Sequence, residues 1–175
     1  MAESGAAATG DHVYPLIFRF QDLVFGEGFI ASVACYGRAV AEQENGLWWI
    51  HGVQPGGVSA SGDTVDGAHL AFRRALKEIL VDIATEGPSF SAFKTEVEAF
   101  FNDEDRGDRV RWDAAVTVFR DARNVIDPAV AALPRRPAES PCSVVVQRLD
   151  VTDKGRKVPS VRANVVDEIA LPEAA

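Results

Sequence analysis

From residue 13 onward, apolar side chains recur at every second position. Tyr14, Leu16, Phe18 and Phe20 form one set, and Val13, Pro15, Ile17 and Arg19 fall between them. A period of two with one wholly apolar set predicts a half-buried strand over 13–25. Gly26-Glu27-Gly28 is a turn signal. A second strand is expected over 29–44, with Ile30, Ser32, Ala34 and Tyr36 facing one way and Ala31, Val33 and Cys35 the other. Gly37 within it marks a bulge or a close approach of backbone. Asn45-Gly46 is a hairpin turn, because both residues accept positive φ. Residues 47–53 then form a third strand and complete an antiparallel meander. The Gly-, Ser- and Pro-rich stretch 54–61 reads as a loop with a short edge strand around 58–60.

The period then changes. Ala68, Phe72, Ala75, Leu76, Ile79, Leu80 and Ile83 recur at helical spacing, with Arg73, Arg74, Lys77 and Glu78 on the opposite side. Asp63 or Thr64 caps this helix, Asp66 sits near the positive end of its dipole, and Gly87-Pro88 stops it. Its apolar stripe is expected to cover one face of the meander. Ser89 caps a further helix to residue 102, with Phe90, Phe93, Val97, Phe100 and Phe101 as its stripe. Residues 102–109 read as a charged loop and 112–124 as a third helix. Asp127-Pro128 ends or restarts it, with a short turn of helix to 133. Residues 133–141 hold three prolines and read as a linker. The β-branched run 143–151 and the segment 158–166 are expected to pair as a C-terminal β-hairpin, and the last residues to fray. The fold class is α+β: a β-meander packed by a long helix, with additional helices and that hairpin. The expected division is a disordered arm over 1–12, an α+β domain over 13–105, and an extension over 106–175.

A chain of 175 residues can bury roughly two-thirds of its extended surface, so one core needs no staple. The net charge of −8 argues against a general nucleic-acid binder, which needs a basic face. The charge is uneven, however. Residues 135–162 carry seven basic residues against three acids, net +4, which leaves −12 on the rest. That segment is a solvated hairpin or a docking surface for an acidic partner or nucleic acid. The first eleven residues lack the basic start and apolar run of a signal peptide. No stretch approaches the roughly 20 apolar residues of a membrane span. The expectation is a cytoplasmic protein in which Cys35 and Cys142 stay unpaired.

Candidate chemistry is sparse. His12, His51 and His69 have no second ligand at metal-binding spacing, so no metal site is assigned. The four glycines of 52–62 lack nucleotide-loop spacing and the Walker lysine, so no cofactor is assigned. No hydrolase or metalloprotease motif is present, and no catalytic residue is assigned. The acids Asp103, Glu104, Asp105 and Asp108 read as a solvated loop. The Trp48-Trp49 pair stands out. Neighbours on a strand point to opposite faces, so one ring packs under the helix and the other meets solvent or a partner. His51 shares a side with Trp49 and is expected to be partly buried with a hydrogen-bonded ring. Trp48, Trp49 and His51 are the candidate partner interface.

Residues 38–84 resemble the HicB antitoxin family. The resemblance rests on Asn45-Gly46, Pro55-Gly56, Gly62-Asp63-Thr64 and the alanine- and leucine-rich helix over 68–80. It implies a partial RNase H-like fold without the nuclease's metal-binding acids. It also implies neutralisation of a small ribonuclease toxin by protein contact, in dimers or larger assemblies. Residues beyond 90 carry neither DNA-binding motif that usually accompanies the family. The expected function is a protein-binding module, antitoxin-type or a stand-alone relative, rather than an enzyme. The alternatives are a metal-dependent RNase H-like nuclease using Asp63, Asp103 and Asp105, or a nucleic-acid contact through 135–162.

Overall fold

Strand β1, Tyr14–Gly26, carries the alternating apolar set that needs a cover, and it pairs along its whole length with β2, Phe29–Glu44. The computed structural model describes residues 12–120, 126–137, 141–150 and 168–173. Asn45 and Gly46 turn the chain with positive φ of 52° and 81°, and β3, Leu47–Gln54, returns along β2. The short edge strand β4, Ser59–Gly62, pairs with β3. The meander is therefore as expected, with β4 one residue later than the sequence suggested.

Gly37 is a close approach. A Cβ there would run into the Gln54 carbonyl oxygen and the Phe18 ring. The register between β2 and β3 slips immediately beside it, between Arg38 and Ala39, so the strand also bulges there.

Helix α1, Val65–Glu86, starts where Thr64 Oγ1 accepts the Gly67 N–H at 3.0 Å, a cap worth about 1 kcal/mol. It ends at Gly87. Helix α2, Phe90–Asn102, is capped by Ser89, whose Oγ accepts the Ala92 N–H at 3.2 Å. Both helices lie on the same side of the sheet. Phe72 of α1 meets Phe18 edge-on at 5.3 Å, and Phe93 of α2 packs on Phe29 at 5.1 Å. Leu16, Phe20, Ile50, Leu76 and Leu80 fill the core between them.

Helix α3, Arg106–Arg120, begins six residues before the expected start at 112. The charged stretch 102–109 is not all loop. Asp105 Oδ1 accepts the Asp108 N–H at 2.9 Å and the Asp105 carbonyl accepts the Arg109 N–H at 2.8 Å, which is helix-start chemistry. The dense charge of the first turn conceals it, because its apolar stripe is only Trp112, Ala115 and Val116. The rest of the expected helix, 121–124, lies outside the described residues. A short helix, α4, Pro128–Ala131, follows with Asp127 as its cap.

The C-terminal third departs most from expectation. The proline-rich linker contains a two-residue strand, β5, Arg135–Arg136. Strand β6, Ser143–Arg148, lies on β2 at residues 31–36, below the part of β2 that β3 covers. Its expected hairpin partner, 158–166, lies outside the described residues. The chain end was expected to fray, but Glu168–Pro172 forms β7. It pairs antiparallel with β1 on the other flank and parallel with β5, and Ile169, Ala170 and Leu171 are buried. The sheet runs β4-β3-β2-β1-β7-β5, with β6 beside β2, and is mostly antiparallel. It draws strands from both sides of residue 105. The expected arm, 1–12, lies outside the described residues except for His12.

Asp150 closes β6. Its carboxylate accepts two hydrogen bonds from Arg148, at 2.8 and 2.9 Å, and the Ile30 N–H at 3.1 Å. The Arg148 bonds, aided by the Ile30 amide, hold its pKa well below the usual carboxylate value of 3.8. A depressed folded pKa means the stabilisation is complete above the ordinary aspartate range and is lost as pH falls through the lowered value. Arg148→Gln is expected to bring the Asp150 titration, followed by NMR at its carboxyl carbon, back towards 3.8. An unchanged midpoint would show that Arg148 is not the cause.

Candidate functional site

The sheet has two faces with different fates. The first face, under α1 and α2, is closed. The second carries Val13, Pro15, Ile17, Arg19, Gln21, Leu23 and Phe25 of β1, with the facing residues of β2, β3 and β6. Helix α3 covers only its middle. Ile17, Val40, Val53, Trp112 and Val116 form a second, smaller core there, and the Trp112 indole donates to the Leu16 carbonyl at 3.1 Å.

On one side of α3 lie the sequence-derived candidates. Trp48 belongs to the first core, 5 % exposed, with its ring 6.0 Å from Tyr14. It is not available to a partner. Trp49 faces the other way, half-buried, and stacks on His51 with centroids 5.9 Å apart and planes 8° from parallel. The His51 ring is hydrogen-bonded as expected, Nδ1 with Ser59 Oγ at 2.8 Å and Nε2 with Glu42 at 3.2 Å. Glu42 also pairs with Arg111 of α3, which in turn pairs with Asp108 at 2.8 Å. The two carboxylates and the hydrogen bonds within the group raise the Arg111 pKa against the opposing effect of burial. A planar, rigidly buttressed Trp–His pair thus sits beside the β4 edge strand, whose outer backbone groups pair with no other described strand.

On the other side of α3 the face stays open. Phe25 is 70 % exposed and Val145 61 %, and Leu23 and Tyr36 also reach solvent. All four belong to the second face by register. Strand alternation is the signal that locates them: Leu23 and Phe25 continue the set that begins with Val13 and Ile17.

The acids considered for metal chemistry are in three places. Asp63 precedes α1, Asp103 ends α2, and Asp105 starts α3. The last two hold the α2–α3 link against the β3–β4 loop. The Gly56 N–H donates to the Asp103 carbonyl at 3.0 Å, and the Asp105 N–H donates to the Val53 carbonyl at 2.9 Å. Among the described residues, no group of three or more His, Cys, Asp or Glu side chains is gathered to hold a metal ion.

Within the basic segment, Arg135 lies over the Phe119 ring at 4.6 Å, Arg136 pairs with Glu168 at 2.8 Å, and Arg148 pairs with Asp150. These three hold the C-terminal strands in place. Lys154, Arg156, Lys157 and Arg162 lie outside the described residues. Neither Cys35 nor Cys142 forms a disulfide among the described residues, and partial burial pushes the Cys142 thiol pKa up. No described helix is long and apolar enough to cross a membrane. No family model, no curated protein and no solved structure matches this chain.

Proposed function

We propose that this chain is a protein-binding module of HicB-like type, whose second sheet face receives a protein partner. The open apolar half of that face carries the reading. Leu23 and Phe25 of β1 and Val145 of β6, with β2 between those strands, lie on the same sheet face with their side chains exposed. Sheet faces with such residues are normally closed by a helix or by another chain. The Trp49–His51 stack is the second anchor, of the aromatic kind that interfaces favour. The order β2, β3, β4, α1, with Pro55-Gly56 in the loop and Thr64 as cap, supports the family resemblance. On that reading the partner is a small ribonuclease toxin, and the bound chain blocks it by contact. The acidic chain, at −8, suits a basic partner.

The test is affinity capture of the full-length chain from its own host, followed by an RNA-cleavage assay on what is retained. One stoichiometric protein is expected, with ribonuclease activity that the chain suppresses. Leu23→Asp combined with Phe25→Asp is expected to weaken the complex by at least about 30-fold without changing the urea midpoint. A chain that retains no stoichiometric partner would end the proposal. A retained partner without ribonuclease activity would leave a binding module and remove the toxin assignment.

A further inference from the structure

Three polar side chains of the second face form one hydrogen-bonded chain beside the β4 edge. Ser59 Oγ meets His51 Nδ1 at 2.8 Å, and His51 Nε2 meets Glu42 Oε1 at 3.2 Å. Strand register puts them there. Ser59 stands opposite His51, and His51 opposite Val40, so Glu42 is the diagonal neighbour of His51. The Gly52 N–H donates to the Val58 carbonyl at 2.7 Å, which makes Gly52 and Val58 a hydrogen-bonded pair of the antiparallel ladder. Such pairs alternate with pairs that exchange no backbone bonds, and His51–Ser59 comes next. Side chains approach most closely in a pair of that second kind, and its N–H groups point away from the partner strand. The Ser59 N–H therefore points out of the sheet edge, where β4 pairs with no other described strand.

The partners fix the proton positions. An ionised Glu42 can only accept, so His51 Nε2 carries a proton. In the neutral ring Nδ1 is then the acceptor, and the Ser59 hydroxyl donates to it. Arg111 holds the second Glu42 oxygen, and Trp49 stacks on the imidazole. The His51 and Glu42 side chains are 23 % and 22 % exposed, whereas Ser59 lies open to solvent. An accessible hydroxyl, a sheltered base and an acid that orients the base are the parts of a serine nucleophile. The ring nitrogens are exchanged relative to the serine-protease triad, but either nitrogen of an imidazole can take a proton.

We propose that Ser59 and His51 hydrolyse a small aryl ester of a carboxylic acid, with Glu42 as the positioning residue. Ser59 Oγ attacks the carbonyl carbon while its proton passes to His51 Nδ1. The bond to the aryl oxygen breaks, and the imidazolium gives its proton to the departing phenoxide. Water then attacks the acyl–Ser59 ester, giving a proton to Nδ1. That proton returns to Ser59 Oγ as the carboxylic acid leaves. The outward Ser59 N–H can donate to the carbonyl oxygen as it becomes negative. A single backbone donor is modest assistance, which favours phenoxide, a weaker base than an alkoxide, as the leaving group. The Trp49 ring beside the base suits a flat aromatic body. The site adjoins the Trp49–His51 anchor, but its assay uses the chain alone, so its outcome is separate from that of the capture experiment.

Hydrolysis of p-nitrophenyl acetate by the full chain tests this, with peptide mass spectrometry of acid-quenched samples. Saturable turnover and an acetyl group on Ser59 are expected. Ser59→Ala and His51→Gln should each lower kcat/KM by about 100-fold or more. Glu42→Gln should lower kcat about tenfold with KM little changed, which a merely structural role would not produce. His69→Gln, which removes a histidine on α1, should leave the rate unchanged. Ser59 is exposed, so its variant keeps the fold and decides the matter if the His51 variant does not fold. Turnover that survives Ser59→Ala, absence of turnover, or acetylation elsewhere but not on Ser59 would overturn the proposal. Full activity of Glu42→Gln would remove Glu42 from it.

Discussion

Phe72→Ala is expected to destabilise the protein by about 3–5 kcal/mol. Phe72 is 1 % exposed and stands at the middle of the apolar stripe of α1. Its ring meets Phe18 edge-on, and Phe18 lies on β1 between Leu16 and Phe20. Leu76 and Leu80 flank it one and two turns on, also fully buried. The ring therefore rests between a helix and a long two-stranded ribbon, neither of which can collapse into the space it leaves. Both the transfer energy and a cavity are lost. Urea denaturation followed by circular dichroism checks this, with a lower midpoint and an unchanged slope expected. In a chain of this size, each kcal/mol lowers the melting temperature by roughly 2–4 °C. The exposed Leu70 on the same helix is the control, since Leu70→Ala should change stability by no more than about 0.5 kcal/mol. A Phe72 variant as stable as that control would mean that α1 does not close the first face.

Trp112→Ala is expected to cost a similar amount, about 3–5 kcal/mol, for a different reason. This indole is 3 % exposed and is the main apolar contact of α3 with the sheet. It also donates to the Leu16 carbonyl and carries the Arg38 guanidinium on its face. Truncation removes the packing, leaves a backbone acceptor without that donor, and strips Arg38 of its support. Trp112→Phe retains most of the area and loses the hydrogen bond, so about 0.5–1.5 kcal/mol plus a small cavity cost is expected. Hydrogen exchange separates a local effect from a global one. If α3 is a separately opening unit, its amides lose protection in the alanine variant while those of α1 do not. Near-neutral stability of Trp112→Ala would mean that α3 is not held by this contact.

These two rings mark the boundary of what could be read in advance. The Phe72 stripe was legible because α1 is long, its apolar positions recur every three or four residues, and Thr64 and Gly87 punctuate its ends. Helix α2 was legible for the same reason, with Ser89 as its start. The packing of Trp112 on the second face was not legible. Three buried residues in fifteen make a weak helical period, and the acidic first turn looked like a loop. The candidate site divides in the same way. Alternation placed Trp48 and Trp49 on opposite faces and put His51 beside Trp49, and the structure agrees. Leu23 and Phe25 were visible as apolar positions, but their exposure depends on how far α3 reaches across the sheet.

What the sequence by itself determined is the local structure up to Asn102: three paired strands, the turns between them, a short edge strand, and two capped helices. Those features rest on side-chain periodicity, on Asn-Gly and Thr capping chemistry, and on contacts between residues near one another in the chain. What only the tertiary structure decided is the placement of the rest. β6 extends the sheet below β3, β7 takes the far flank of β1, and α3 crosses the second face. A six-residue strand centred on three valines specifies that it will pair, but not with which edge. The edge is set by which backbone groups remain unpaired once the meander has formed, and by which apolar face still lacks a cover. The same competition left half of the second face open.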